Sequence, residues 1–204
     1  MEIYTSVRNL VEFIMRSGDI DNRKAAPEDA MQEGSRIHRM IQRRMGSDYR
    51  SEVTLRYLYR TENYDIIIEG RADGIIGGLT QGTSEKKNEV ATLKSNDTVV
   101  IDEIKGTYRD LEKMKEPVPV HLAQAKCYAY IYAHDFQLSD VRVRMTCCNM
   151  DTEEIRYFHY DYTYQELSEW FEELIGKYRK WADYTYEWNL IRQESIHKTQ
   201  FPFP

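Results

Sequence analysis

The chain has 204 residues, of which 41% are hydrophobic and 30% charged, and its formal net charge is −6 at pH 7. This composition excludes a disordered chain. The acidic balance argues against a nucleic-acid binder that works by bulk attraction, because such proteins usually carry a basic excess, but it leaves open an enzyme with an acidic site. No apolar run approaches the roughly 20 residues of a membrane span, and the start does not resemble a signal peptide, so we expect a cytoplasmic protein.

The three cysteines are Cys127, Cys147 and Cys148. Their odd number and the adjacent pair argue against a disulfide framework. They also lack the C-x-x-C spacing of zinc or iron-sulfur ligands. We therefore expect buried free thiols and no iron-sulfur cluster.

Two helices are predicted near the N-terminus. The first, "SVRNLVEFIMRSG", has Ser6 as a candidate cap, apolar residues at helical spacing and Gly18 as a stop. The second, "PEDAMQEGSRIHRMIQRRMG", begins with Pro27, has arginines in its last turn and is followed by Gly46. Five arginines between positions 36 and 50 form the only strongly basic stretch, and a solvated helix face is their default explanation.

From Ser51 the pattern changes to alternation, which predicts two strands in "EVTLRYLYR" and "YDIIIEGRADGIIGGL", joined by a turn around 61–64. The polar residues 80–97 are expected to form a mobile hairpin loop before a third strand, "TVVIDEIKG". A mostly buried helix, "EPVPVHLAQAKCYAYIYAH", a hairpin of "DVRVRMTCCN" and "EIRYFHYDY", and a long amphipathic helix opened by the Thr163 and Glu166 capping box complete the pattern.

This order of elements predicts the α/β (α+β) class, with one central mixed β-sheet of about five strands flanked by helices. We expect residues 1–190 to form a single domain. Residues 191–204 end in prolines and aromatic residues without a core of their own, which favours a C-terminal linker or strap.

The third strand carries charge inside an apolar run, "VVIDEIKGTY". Side chains two apart on a strand share a face, so Glu103 and Lys105 project together while Asp102 and Ile104 point the other way. Burying a carboxylate and an ammonium is costly unless they pair with each other or hold something else. A plain salt bridge at a strand end is one explanation.

A second acid, Asp73, lies in the preceding strand within "EGRADGII". If the two strands are neighbours, Asp73 and Glu103 can converge. Two close carboxylates repel each other unless a divalent cation lies between them, and hard oxygen ligands suit Mg²⁺ or Mn²⁺. Lys105 would then lie beside the metal, where it could steady an attacking water or a developing phosphoryl charge.

An acid on one strand and acid-x-lysine on the next form an arrangement that resembles the signature of the PD-(D/E)XK nuclease superfamily. Ala72 stands in the place of the family's proline. In "QAKCY", Gln124 and Tyr128 resemble the Q-x-x-x-Y motif of the RecB-like branch. The stretch "EGSRIH" resembles the glycine and histidine element that supplies an imidazole ligand in that branch. The chain is therefore similar to RecB-like nucleases over nearly its whole length.

Two histidines compete for the imidazole role. His38 falls in the apolar arc of its predicted helix and points inward, where a satisfied core histidine is the alternative to a ligand. His121 falls near the helix face of Gln124 and Tyr128. The presence of the acids, the lysine and the Q-x-x-x-Y motif in family order favours His38.

The resemblance implies a restriction-endonuclease-like core and metal-dependent hydrolysis of DNA phosphodiesters, as by an exonuclease acting in DNA repair or recombination. The implied ligands of Mg²⁺ or Mn²⁺ are His38, Asp73, Glu103 and the Ile104 carbonyl oxygen. Lys105 would activate water or stabilise the transition state, and Gln124 and Tyr128 would orient the site or the DNA backbone. The iron-sulfur members of the branch use four cysteines, so that cofactor is not carried over.

Three further stretches, "SVRNLVEFIMRSGDID", "EPVPVHLAQAKCYAYIYA" and "FPFP", resemble the front end of DinG/XPD-like helicases fused to a RecB-like nuclease. No G-x-x-x-x-G-K-[ST] loop is present, so the resemblance implies a helicase motor elsewhere in cis. The expected partner is DNA, as single strands or duplex ends, with phosphate contacts from Arg109, Lys113 and Lys115; a solvated loop explains those three almost equally well. The alternatives are a non-catalytic DNA-binding or scaffold module and cleavage of RNA.

Overall fold

The computed structural model describes residues 1–15, 30–77 and 98–198. Within these ranges six strands form one sheet, and four helices accompany it. The elements are β1 (Glu2–Ser6), α1 (Val7–Met15), α2 (Ala30–Arg44), β2 (Tyr49–Arg60), β3 (Asp65–Ile76), β4 (Val100–Thr107), α3 (Pro119–Phe136), β5 (Asp140–Asn149), β6 (Ile155–Thr163) and α4 (Tyr164–Lys198). The predicted α/β (α+β) class with a central mixed sheet is confirmed.

The sheet has the order β1-β3-β4-β5-β6, with β2 paired to the other edge of β3. The pairs β1/β3 and β4/β5 are parallel, and the other three pairs are antiparallel. One edge of β3 is shared: β1 pairs with Asp65–Glu69 and β4 pairs with Gly74–Ile76. We call residues 70–73, which lie between these two ladders, the fork.

The strand β1 was missed by the sequence analysis. The N-terminal helix does begin after Ser6, whose Oγ accepts a hydrogen bond from the Asn9 N–H at 3.0 Å, as a cap should. The five residues before it, however, form a strand rather than helix. Because β1 pairs in parallel with a strand far along the chain, no turn or alternating partner next to it marks it in the sequence.

The hairpin of β2 and β3 forms as predicted. The Thr61 N–H donates to the Tyr64 carbonyl at 3.0 Å, and the Tyr64 N–H donates to Thr61 Oγ1 at 3.1 Å, which closes the turn. The helix start predicted at Pro27 and the hairpin loop predicted over 80–97 lie outside the described residues.

The capping box at the start of α4 is also confirmed, because the Thr163 N–H donates to Glu166 Oε2 at 2.9 Å and the Glu166 N–H donates to Thr163 Oγ1 at 3.2 Å. The helix then continues to Lys198. The structure therefore differs from the expected linker over 191–204, since residues 191–198 are helical. The sequence has no proline or glycine between Lys177 and Lys198 to end the helix. Residues 199–204 lie outside the described part of the chain.

The hydrophobic core lies mainly between the sheet and the helices α1, α3 and α4. A smaller cluster on the other side of β4 joins Ile37 and Ile41 of α2 to Ile104 and Cys148. The three cysteines are buried and free, as predicted. No helix in the described ranges has an apolar stretch long enough to traverse a bilayer. The fold thus brings α2 and α3 to the same part of β4 from its two sides.

Candidate functional site

Asp73 lies at the fork, where the ladder between β3 and β4 opens. Gly74 still pairs with Asp102, but at the next position the Asp73 side chain takes over, and its Oδ2 accepts a hydrogen bond from the Ile104 N–H at 2.7 Å. The Asp73 side chain is 13% exposed. The opening of the ladder therefore places this carboxylate beside the Glu103–Ile104 segment of β4, as the proposed convergence of the two acids requires.

Glu103 and Lys105 lie on the same face of β4, and their side chains are in direct contact. Lys105 Nζ is 2.7 Å from Glu103 Oε1, and the Glu103 side chain is only 4% exposed. The second oxygen, Glu103 Oε2, is buried without a hydrogen-bond partner. A buried carboxylate oxygen is costly to leave unsatisfied, so the salt bridge alone does not account for this residue.

Burial, followed by the negative charge of Asp73, raises the pKa of Glu103 to about 7, although Lys105 and His38 act in the opposite direction. Burial by itself would lower the pKa of Lys105, but the charges of Glu103 and Asp73 outweigh it and the pKa is raised. The lysine is therefore held as an ammonium. Without a cation, Glu103 is only partly ionised near neutral pH.

The helix α2 brings His38 to Asp73, with Nδ1 3.3 Å from Asp73 Oδ1. Burial lowers the pKa of His38, but the hydrogen bond and charge of Asp73 outweigh it, so the net direction is upward. The competing His121 does not line the cleft that contains the acids. Burial and the positive charges of Lys105 and Arg8 lower its pKa to about 4. Of the two candidate histidines, the structure brings His38 to the carboxylates.

The main chain of Asp73 is held by two side chains. Gln42 Nε2 donates to the Asp73 carbonyl oxygen at 3.0 Å, and the Tyr49 hydroxyl lies 3.4 Å from the same oxygen and 3.0 Å from Asp102 Oδ2. A Cβ atom on Gly74 would lie 1.9 Å from the Tyr49 hydroxyl. Glycine is therefore required at position 74 so that Tyr49 can reach the fork.

Gln124 and Tyr128 lie one turn apart on α3 and line the same cleft as the acids. Tyr128 fills the fork: its hydroxyl is hydrogen-bonded to the backbone of Arg71, and a Cβ on Gly70 would lie 2.7 Å from its ring. Gln124 is 5% exposed, and its Oε1 is buried without a hydrogen-bond partner. The Q-x-x-x-Y pair thus contributes one side chain that supports the strand and one with an unsatisfied oxygen.

Glu52 is a member of the site that the sequence analysis missed. It lies on β2 at the position opposite Asp73, between the paired positions Ser51↔Gly74 and Val53↔Ala72. Its carboxylate accepts a hydrogen bond from Gln42 Nε2 at 2.9 Å and lies 2.6 Å from the Arg71 guanidinium. Counting back from the predicted turn at 61–64 would have placed this acid across from Asp73.

Three of these residues could hold a metal ion. His38, Glu52 and Asp73 each offer one ligand atom, and the three atoms lie within 4.8 Å of one another. Glu103 is not in this group. One of its oxygens contacts Lys105, and the other is buried without a hydrogen-bond partner. Carboxylates, an imidazole and an unsatisfied buried oxygen together suit Mg²⁺ or Mn²⁺. The Ile104 carbonyl as a ligand stays a prediction.

The site lies in an open cleft of about 830 Å³. Its lining comprises Arg8, Gly34, Ser35, His38, Arg39, Gln42, Glu52, Arg71, Asp73, Glu103, Lys105, Gln124 and Tyr128. Three arginines are thus in the wall, although the sequence analysis had placed the phosphate contacts elsewhere. Its candidates Arg109, Lys113 and Lys115 are exposed in the segment between β4 and α3 and are not among the residues that line the cleft. Their contact with DNA stays a prediction.

Comparison with known proteins adds little to this picture. No family model matches the chain, and no curated protein matches it. Among solved structures, the chain is similar to the protein of the "Crystal structure of SSO0001". The sequence identity is 16%, the match covers 86% of this chain and 76% of that chain, and the TM-score is 0.47. A likeness of this strength carries no argument about family or function.

Proposed function

We propose that this protein is a metal-dependent nuclease that hydrolyses DNA phosphodiester bonds. The observation that carries the proposal is the Glu103 carboxylate, which is buried in the wall of an open cleft with Oε2 unsatisfied, beside Lys105 and next to Asp73. A purely structural ion pair has no need of an open cleft or of an unsatisfied oxygen. A site that binds a divalent cation needs both an open cleft for the ion to enter and an oxygen that is free to bind it.

In this proposal His38, Asp73 and Glu103 hold Mg²⁺ or Mn²⁺, with the Ile104 carbonyl as a further candidate ligand. When bound, the cation would lower the pKa of a water molecule and offset charge on the phosphoryl group. The raised pKa of Lys105 favours the ammonium form, which can stabilise negative charge developing on the phosphate but cannot accept a proton. Gln124 and Tyr128 would fix the position of the strand and substrate on the α3 side.

The wider setting of the proposal comes from the resemblance to RecB-like nucleases. It favours DNA over RNA, exonucleolytic cutting, a role in repair or recombination in the cytoplasm, and delivery of DNA by a helicase motor in cis. Arg8, Arg39 and Arg71 in the cleft wall could contact the phosphates of either nucleic acid. The net charge of −6 means that such contacts must be local.

The test is a cleavage assay with labelled single-stranded and duplex DNA, and RNA of the same sequence, in Mg²⁺, Mn²⁺ or EDTA. Native protein should cut DNA only with metal, and Glu103→Gln and Lys105→Met should each reduce cutting by about 10²–10³-fold. Glu69→Gln is the matched control, because Glu69 pairs with Arg56 at 3.2 Å on the same hairpin but outside the cleft.

Activity that survives both the Glu103 and Lys105 substitutions would show that the site is wrongly assigned. Tight DNA binding without any cutting in Mn²⁺ would favour the non-catalytic scaffold instead. Cutting of RNA alone would keep the chemistry and change the substrate.

A further inference from the structure

The second half of α4 extends beyond the body of the protein. From Glu187 to Lys198 every residue except Asn189 is exposed, although this stretch continues the helix without a break. Most of the stability of a helix in a protein comes from the packing of an amphipathic face, and a segment of this length is marginal in water without it. The end of α4 therefore lacks the packed face on which a helix of its length normally depends.

Four large apolar side chains form a row on the outside of this helix. We call them the stripe: Trp181, Tyr184, Trp188 and Ile191. Their exposed fractions run from 41% to 65%. At ~100° per residue, the stripe is centred ~120° around the helix from buried side chains such as Phe171 and Tyr178. Thus α4 has two apolar faces, and the residues that the structure describes cover only one of them.

We infer that the stripe is a dimer interface, at which α4 pairs in parallel with α4 of a second copy of this chain. The intervals of three, four and three residues between members of the stripe are the a and d pattern of a coiled coil, in which the apolar rows of two helices interlock. An exposed apolar row of this kind is typical of a protein–protein contact. The inference does not depend on the proposed function.

The charges beside the stripe favour a second copy in the parallel orientation. With the stripe in positions a and d, Glu187 occupies position g, just before Trp188, and Arg192 occupies position e, just after Ile191. A g residue lies beside the e residue five positions further along a parallel partner. Glu187 of each copy then faces Arg192 of the other copy, which gives two ion pairs related by the two-fold axis of the dimer.

Glu187 and Arg192 have no competing ion pair of their own. Residues five apart on a helix do not face each other, so the two cannot pair within one chain. The ion pairs of α4 in the described part of the chain are Lys177–Glu173 and Lys198–Glu194. This charge complementarity of the chain with itself is the reason for naming a second copy, rather than an unrelated protein, as the occupant of the stripe.

The position of the stripe leaves room for two copies. The core-facing side of α4 is held to the body, as by Tyr186, whose ring centroid lies 5.5 Å from that of Tyr64. Because the stripe lies ~120° away from that side, the body of each copy lies beside the shared seam and not across it. Half-exposed side chains of this size offer about 400 Å² per copy, which is in the range of weak contacts whose occupancy depends on concentration.

Sedimentation equilibrium of the full chain over a series of protein concentrations tests the inference. The native protein should change from monomer to dimer as its concentration rises. Ile191→Glu places a charge in the stripe and should weaken dimerisation by at least about tenfold. Leu190→Glu is the matched control, because Leu190 is also apolar and is 45% exposed but lies on a different face of the helix, and it should leave the dimer unchanged. Circular dichroism confirms that each variant is folded.

Further variants test the parallel orientation. Arg192→Glu should weaken the dimer, since it faces Glu187 with a like charge, and combining it with Glu187→Arg should restore dimerisation. Ile191→Cys should form a disulfide-linked dimer on mild oxidation, because parallel helices place each d residue beside its own copy. Leu190→Cys should form none. The native cysteines are buried and do not compete.

A native protein that stays monomeric at every concentration would overturn the inference and leave the stripe to a different partner. A dimer that Ile191→Glu and Leu190→Glu weaken equally would overturn it as well, because the stripe would then not be the interface. A dimer that depends on Ile191 but shows neither the cysteine cross-link nor the rescue by charge exchange would overturn the parallel pairing.

Discussion

Asp102 and Glu103 are consecutive acids on β4 that point to opposite faces of the sheet. Both are buried, with relative exposures of 0% and 3%. The Asp102 carboxylate accepts hydrogen bonds from Arg144 at 2.9 and 2.8 Å, from Thr146 at 2.5 Å and from Tyr49 at 3.0 Å. Glu103 contacts Lys105 through one oxygen and has no partner for the other.

This difference separates a structural acid from a candidate functional one. Burial alone does not distinguish the two residues, and neither does the sign of their charge. What distinguishes them is whether the fold itself satisfies the carboxylate. Where it does, the acid stabilises the fold; where it does not, the fold accepts a cost for a group that a ligand can satisfy.

The largest effect on stability should come from breaking the ion pair between Asp102 and Arg144. Arg144→Met leaves Asp102 as a buried charge without its bidentate partner, and should lower the free energy of unfolding by about 3–5 kcal/mol. Urea denaturation followed by circular dichroism measures this. Arg142→Met is the control, because Arg142 lies two residues away on β5 in an exposed ion pair with Asp161, and its loss should leave the denaturation midpoint almost unchanged. Equal midpoints for the two variants would refute the structural role of Asp102.

Substitution of Glu103, the acid with an unsatisfied oxygen, should mainly affect activity. If the proposed function is correct, Glu103→Gln should reduce metal-dependent cleavage by about 10²–10³-fold, since the proposed cation site loses a charged ligand. Single-turnover rates at saturating DNA measure this loss separately from binding. A rate within a factor of a few of the native rate would place the chemistry elsewhere.

The same substitution should change how stability depends on pH when metal is absent. The pKa of Glu103 rises from its ordinary value of 4.5 to about 7 on folding, so the folded protein binds more protons than the unfolded chain between these values. The ionised acid therefore lowers stability as pH rises through this window. In EDTA, the free energy of unfolding of Glu103→Gln relative to native should therefore rise by on the order of 1–3 kcal/mol between pH 4.5 and pH 8. The cost of removing the partner of Lys105 is constant over this range, because the lysine stays an ammonium.

Mn²⁺ should oppose this trend, because a bound cation stabilises the native protein through the ionised carboxylate. Thermal melts at pH 5 and 8, with and without Mn²⁺, give the four values needed. A stability difference between native protein and Glu103→Gln that does not change from pH 5 to pH 8 in EDTA would mean that Glu103 is as well satisfied as Asp102.

The smallest effects should come from substituting basic side chains near β4. Arg39 lines the cleft, whereas Lys113 is exposed beyond the end of β4 and already pairs with Asp110 at 2.8 Å. Arg39→Gln should weaken DNA binding several-fold and reduce the slope of log affinity against log salt by about 1, as expected for one lost phosphate contact. Lys113→Gln should have a smaller effect on both the DNA affinity and its salt dependence. Fluorescence anisotropy across a salt series in EDTA measures this, and a larger effect at Lys113 would favour the phosphate contacts that the sequence predicts in the segment between β4 and α3.

Local patterns were sufficient for most of the fold. The turn at Thr61, the capping box at Thr163 and the buried free cysteines all follow from residues close in the chain, and the structure contains each of them. The strand β1 could not be found in this way, because its stability depends on a parallel partner distant in sequence. The prolines of the tail predict a linker from residue 191, but α4 continues to Lys198 because no proline or glycine lies between Lys177 and Lys198 to end it.

For the site, spacing along β4 predicts that Glu103 and Lys105 share a face, and their contact agrees with it. The interruption at Asp73 and the positive φ of Glu52 have no sequence signature, since glutamate does not favour that conformation. The unsatisfied Glu103 oxygen likewise depends on where α3 and the fork place their polar groups. Sequence identifies the chemical groups, but only the three-dimensional arrangement shows which of them are left without partners.

The fork has a consequence for how this segment can vary among related chains. Glu69 and Gly74 are fixed in separate ladders, and the residues between them must span that interval with Asp73 on the correct face. Adding or deleting one residue there would turn the carboxylate to the opposite side of the sheet. Insertions and deletions should therefore be absent from this stretch in any homologue that has the proposed activity, even where the residue types differ.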